Sequence, residues 1–277
     1  MSQYAHHETI VNTKWLFDRL EDPNIRIVEM GLNPEQYLQG HIPNTVFWNA
    51  NKVSFSDLSI NFDRNLWENL LASSGINKDT TVIAVGGEFP ATAGLIFWLL
   101  KIFGHNNVKI LNGGRDKWIA ESRPLTKEEP TITPSNYNIK SLDNSLRVFQ
   151  PEVYESINKQ DTAIVDVRTP QEYCGEIFMM KPPEKTERGG HIPSAINLYY
   201  EIALNEDKTF KSFEELENIY SEKGITRDKL IIPYCAVGAR SSHTWYVLKY
   251  LLGYPNVRNY DGSWNEWSRL ERMPVEK

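Results

Sequence analysis

The chain is written twice. Gly40-His41-Ile42-Pro43 recurs as Gly190-His191-Ile192-Pro193. Downstream, Gly75-Ile76, Gly104, Asn107-Val108, Gly113 and Trp118 recur as Gly224-Ile225, Gly253, Asn256-Val257, Gly262 and Trp267, all at an offset of 149 residues. A period of that length is too long for a solenoid and fits a duplicated domain. We therefore expect an N-terminal domain over 1–123, a linker over 124–144 and a C-terminal domain over 145–277. The linker is read from composition: Pro130, Pro134 and scattered Thr, Ser, Asn and Glu, with little apolar periodicity.

Each half runs through the same elements. An apolar strand, Ile25 to Met30 or Ala163 to Val167, precedes the Gly-His-Ile-Pro turn, and a short strand follows it, Val46 to Trp48 or Ala195 to Leu198. A polar helix comes next, Arg64 to Ser73 or Ser212 to Lys223. Thr81 to Val85 and Leu230 to Ile232 are short apolar runs bounded by turn residues, which predicts strands buried on both faces. Helices over Ala91 to Phe103 and Ser241 to Leu252 stop at Gly104 and Gly253, and last strands follow at Val108 to Leu111 and Val257 to Tyr260. Alternating strands and helices imply an α/β fold, in each half a mostly parallel open sheet with helices on both faces.

Ligands of such sheets bind beyond the carboxyl ends of the strands. There the second half carries Cys235, followed by Ala236-Val237-Gly238-Ala239-Arg240-Ser241-Ser242 and then a helix. The loop amides of Ala236 to Ser241 are expected to turn inward as a nest, the helix N-terminus adds partial positive charge, and Arg240 adds a full one. All three stabilise negative charge on a sulfur, the requirement of a nucleophilic thiolate. Gly238 permits backbone angles other residues resist, and Ser241 or Ser242 is placed to cap the helix. At the same offset the first half has Gly86, in Gly86-Gly87-Glu88-Phe89-Pro90. It offers no nucleophile, and Glu88 repels anions, so the first domain is expected to be catalytically silent.

In this order, and twice over, the Gly-His-Ile-Pro turns, Val165-Asp166-Val167-Arg168 with Glu172, the Cys235–Arg240 loop and Tyr260-Asp261-Gly262-Ser263-Trp264 resemble the tandem-domain rhodanese family. The stretch Arg240-Ser241-Ser242-His243-Thr244-Trp245 looks most like bacterial thiosulfate sulfurtransferases. The resemblance implies two rhodanese-like domains and a ping-pong reaction. Cys235 takes the outer sulfur of thiosulfate as a persulfide and passes it to cyanide or a thiol. It further implies Arg240 and Arg188 as substrate-binding residues, Arg188 standing where the family places a substrate arginine. The family's thiosulfate enzymes usually put a basic residue one or two positions after the cysteine; Ala236 and Val237 stand there. Mercaptopyruvate as donor, or a persulfide carrier serving one acceptor protein, are the alternatives. Cysteine-loop phosphatases of related fold place arginine sixth after the cysteine; here Ser241 is sixth and Arg240 fifth, a shorter loop that suits one sulfur atom.

The other polar residues read as structural. His41 and His191 recur in both halves although only one half has a nucleophile. Asp166 sits at a strand end, where it can satisfy backbone donors. His243, Trp264 and Trp267 read as packing residues, and Cys174 as a small apolar filler. Two cysteines 61 residues apart, with no histidine cluster at ligand spacing, give no metal site and no disulfide framework. No cofactor motif follows the first strand of either half. A net charge of −6 argues against nucleic acid as a partner without excluding an anionic substrate. With Met1 to Ile10 polar and no run of membrane-spanning length, a cytoplasmic protein that does not enter membranes is expected, a monomer by the closure of its repeat.

Overall fold

The computed structural model describes residues 3–55, 58–87, 89–184 and 187–277. Of the positions discussed above, Met1 and Glu88 lie outside the described residues. The chain divides into two compact units. One comprises His7–Asp143 with Leu204–Phe210, and the other Met1–His6, Asn144–Ala203 and Lys211–Lys277.

The first unit holds strands β1 (Ile10–Val11), β2 (Ile25–Gly31), β3 (Thr45–Asn49), β4 (Thr81–Gly86) and β5 (Val108–Leu111). Its helices are α1 (Thr13–Phe17), α2 (Glu35–Gln39), α3 (Arg64–Ser73), α4 (Thr92–Ile102) and α5 (Gly114–Ala120). The five strands form one parallel sheet in the order β1-β5-β4-β2-β3. Val82, Ile83, Ala84 and Val85 at its centre are fully buried, as strands covered on both faces require. Residues 124–143 follow this unit's surface: Thr126 bridges His41, the Ser135 N–H donates to the Ala72 carbonyl, and Tyr137 and Ile139 are buried. The stretch read as a linker is thus tied down over most of its length.

The second unit holds β6 (Thr162–Asp166), β7 (Ile196–Asn197) and β8 (Leu230–Tyr234), with α6 (Gln150–Ser156), α7 (Pro170–Tyr173), α8 (Phe213–Ser221), α9 (Ala239–Tyr246) and α10 (Ser263–Trp267). The sheet order is β7-β6-β8, all parallel. The expected last strand, Val257 to Tyr260, is reduced to an isolated bridge, Ile231 to Val257. Its hydrogen bonds still alternate along β8: Ile231 donates to Asn256, Arg258 to Ile231 and Tyr260 to Pro233. The donor missing from that ladder is Pro233, which has no N–H. Arg147 bridges Asn259 on the far side, so the strand order of the first unit is repeated. The helix expected over Ser241 to Leu252 begins two residues earlier and continues from α9 into a π-helical turn, Val247–Leu251.

The repeat extends to a buried ion pair, with an exchange of parts. In the second unit Asp166 pairs with Arg168 at 2.6 Å, Arg168 donates to the Gly190 carbonyl, and its guanidinium lies 4.6 Å from the Trp264 ring centroid. In the first unit Glu29 stands near Arg115 at 4.0 Å, and Arg115 donates to the Gly40 carbonyl. Arg115 occupies the repeat position of Trp264, so the cation enters from a helix rather than from the strand end. His41 stacks on Tyr37 and His191 on Tyr173, with ring centroids 3.7 and 3.6 Å apart, and each Nδ1 bonds the carbonyl of its stacking partner. The two histidines are therefore matching structural pieces. Among the described residues, no helix is long and apolar enough to cross a membrane.

Candidate active site

Cys235 directly follows β8, and α9 begins four residues later. Its backbone is fixed by the turn before and within α10. The Cys235 N–H donates to Ser263 Oγ at 3.1 Å, the Trp264 N–H to the Cys235 carbonyl at 2.9 Å, and the Asn265 N–H to the Ala236 carbonyl at 2.9 Å. Ser263 Oγ in turn donates to the Tyr260 carbonyl. The strand end before Cys235 is held as firmly: the Tyr234 hydroxyl donates to Asp166 Oδ2 at 2.6 Å, and the Ile192 N–H donates to that hydroxyl. Asp166 also accepts the Arg168 N–H, in line with its expected strand-end role.

The sulfur of Cys235 is buried. Among the described residues, the loop amide that reaches it is that of Gly238, whose N–H donates to Sγ at 3.1 Å. The expected nest of several amides contracts to this one. Gly238 adopts φ 96, and a β-carbon there would stand 3.2 Å from the Asp261 carbonyl oxygen. The positive φ favours glycine, and a β-carbon would also need the Asp261 backbone to give way, although Asp261 is held by a bidentate pair with Arg147 at 2.9 and 2.8 Å. Ala236 is buried, and Val237 and Ala239 lie beside the turn. The cap differs from expectation. Gly238 is the N-cap, while Ser241 and Ser242 lie inside α9 and donate their hydroxyls back to the Gly238 carbonyl at 3.0 and 2.7 Å.

Arg240 is mostly buried and makes a two-pronged pair with Glu172, Nη1 to Oε2 at 2.6 Å and Nη2 to Oε1 at 2.8 Å. Burial works against its charge, but the Glu172 hydrogen bonds and the nearby charges of Cys235, Glu172 and Asp166 more than offset this and raise its pKa. For Glu172, burial pushes the carboxyl up, while Arg240, the Thr169 N–H and Arg168 bring it below the usual range, so it is ionised. Glu172 is held in place by a capping box on α7: the Glu172 N–H donates to Thr169 Oγ1, and the Thr169 N–H to Glu172 Oε2.

Arg188 is placed differently from the expectation. Its guanidinium donates to four main-chain carbonyls, those of Trp267, Ser268, Leu270 and Met273, at 2.7–3.1 Å. Its own carbonyl accepts from Trp264 Nε1 at 3.0 Å. An arginine engaged this way ties down the chain leaving α10, where last-turn carbonyls lack helical partners. Cys174, the second cysteine, is exposed at the C-cap of α7, against the reading as a buried filler.

In the first unit Gly86 ends β4 at the position of Cys235, and a β-carbon on it would come within 2.8 Å of the Pro90 carbonyl oxygen. Pro90 takes up the space a side chain at Gly86 would need.

His243, one helical turn beyond Arg240, is buried, and burial pulls its pKa down from 6.5 to about 4 against the charge of Glu201. Between those values the unfolded chain binds a proton that the folded chain does not. The stability contribution is therefore intact above pH 6.5 and lost as the pH falls towards 4, by about 3 kcal/mol. The melting temperature is expected to fall over that window, and less steeply in His243→Gln; parallel profiles would contradict the assignment.

The rhodanese-like domain model matches this sequence twice, over residues 12–121 and 149–270. The chain belongs to the rhodanese family. It is accordingly a tandem rhodanese-domain protein of the sulfurtransferase class. It is 43% identical to "Sulfur carrier protein TtuD" of Thermus thermophilus, across 99% of this chain and 98% of that protein. It is 39% identical to a thiosulfate sulfurtransferase of Corynebacterium glutamicum, across 99% and 92%. Among solved structures, EanB in complex with ergothioneine superposes with a TM-score of 0.88 at 25% identity, covering all of this rhodanese and 72% of that chain.

Sequence reasoning quoted Glu172 and Ser263 inside motifs without assigning them to the site. Thr169 followed three residues later by Glu172 is a capping-box signature, and it could have placed that carboxylate at a fixed point. No comparable signal marks Ser263, whose contact with Cys235 spans 28 residues.

Proposed function

We propose that this rhodanese moves sulfane sulfur from thiosulfate to a thiophilic acceptor, cyanide or a thiol, through a persulfide on Cys235. The observation that carries the reading is the Gly238 N–H directed at Sγ of a cysteine set between a strand end and a helix. The Cys235 thiolate attacks the outer sulfur of thiosulfate. A bond forms between Sγ and that sulfur, the sulfur–sulfonate bond breaks, and its electron pair leaves with sulfite. The persulfide anion is left on the enzyme. Cyanide then attacks the outer sulfur, thiocyanate departs and the thiolate is regenerated. Charge and atoms balance in both halves without an outside oxidant or reductant.

Within this reading the Gly238 amide stabilises the anionic sulfur in the resting and persulfide forms, and Arg240 draws the anionic donor. The first unit, with Gly86 in place of a nucleophile, does no chemistry. Arg240→Ala is expected to raise the thiosulfate KM about tenfold, the equivalent of one charge-assisted hydrogen bond; an unchanged KM removes Arg240 from the donor site. Steady-state sulfite release from thiosulfate with cyanide tests the function itself, and its absence would refute it.

A second reading draws on the Thermus relative, named a sulfur carrier. There Cys235 would hold the persulfide for one acceptor protein. Persulfide formation without turnover on small acceptors would favour it.

A further inference from the structure

Arg240 does not offer an uncompensated charge to Cys235. Both of its terminal nitrogens are engaged by Glu172, which is 1% exposed and locked by Thr169. The other charged and titratable groups around Arg240 come from three elements. Asp166, ending β6, is neutralised by Arg168. Tyr199, just before the short turn Tyr200–Ala203, and Tyr200 within it both donate their hydroxyls to Glu201 Oε1, the anion of that turn. His243 on α9 is uncharged at neutral pH. The loop residues after the cysteine, Ala236, Val237, Gly238 and Ala239, carry no charge. The anion of Glu172 is thus the charge most directly opposed to Arg240.

Coulomb energy scales with the charge of the incoming donor. A carboxylate that cancels Arg240 costs a doubly charged donor about twice what it costs a singly charged one. We propose that Glu172 is a specificity-determining residue, which by neutralising Arg240 lowers the enzyme's preference for doubly charged sulfur donors relative to singly charged ones. The inference rests on the reading of Cys235 as the sulfur-accepting nucleophile and adds the donor's charge class to it. Glu172 acts through Arg240 and does not touch the donor. The class that gains relative to thiosulfate is a sulfane donor with one negative charge, such as a thiosulfonate or an organic persulfide anion.

The test compares kcat/KM for thiosulfate, with two charges, and benzenethiosulfonate, with one, in wild type, Glu172→Gln and Glu172→Asp. Gln keeps the shape and part of the hydrogen bonding but removes the charge, whereas Asp keeps the charge and shifts the geometry. The thiosulfate-to-thiosulfonate ratio is expected to rise about threefold in Glu172→Gln, mainly through a lower thiosulfate KM. It should stay at the wild-type value in Glu172→Asp, even if that variant melts earlier. A purely structural role would depress both donors together and leave the ratio alone. An unchanged or lower ratio in Glu172→Gln, or an equal rise in both variants, overturns the inference. If wild type instead takes sulfur from neither donor, the Cys235 reading itself fails, which is a separate result.

Discussion

Cys235→Ser is expected to lower sulfur transfer by about three orders of magnitude or more, while circular dichroism and thermal unfolding stay close to wild type. A hydroxyl at this position is a far weaker nucleophile and cannot hold sulfur as a persulfide. The fold should tolerate the exchange because the backbone of residue 235 is fixed by groups that do not depend on the side chain: Ser263 Oγ on its N–H and the Trp264 N–H on its carbonyl. The Gly238 N–H, which donates to Sγ, can donate to Oγ instead. Retained turnover in this variant would place the chemistry elsewhere in the chain. Cys174, the remaining thiol, would then be the first residue to examine.

Arg188→Ala is expected to act on stability first. Four carbonyls lose a cationic donor at once. Those on half-buried main chain cannot all be rehydrated freely, so a loss on the order of 3 kcal/mol follows, or a melting temperature lower by about 5–10 °C. Because α10 supplies the amides that fix Cys235 and Ala236, a modest fall in kcat should accompany it. A rise in KM for thiosulfate with an unchanged melting temperature would return Arg188 to the donor site.

The duplication made most of the architecture legible. Matched Gly-His-Ile-Pro turns and a constant downstream offset imply two copies of one α/β unit, and the β4 and β8 runs announce their burial by being apolar throughout. The last strand of the second unit was not legible in the same way. Its sequence, Val257 to Tyr260, reads as a strand, but the neighbour that should donate to it is Pro233, a feature that matters only once the pairing is known. Cys235 stood out because strand, loop and helix are contiguous in sequence. Arg188 and Ser263 did not reveal their roles, since these depend on contacts across 76 to 85 residues for one and 28 for the other. Arg240 was legible as a cation near the loop, yet its electrostatic effect was not. Glu172, 68 residues away, decides how much of that charge an incoming donor meets.

Intact-protein mass spectrometry after incubation with thiosulfate, followed by peptide mapping under non-reducing conditions, bears most directly on the account. A gain of one sulfur atom located on Cys235, reversed by cyanide and absent in Cys235→Ser, is the predicted result. Sulfur gained on Cys174 instead, or sulfite released with no sulfur retained on the protein, would contradict it.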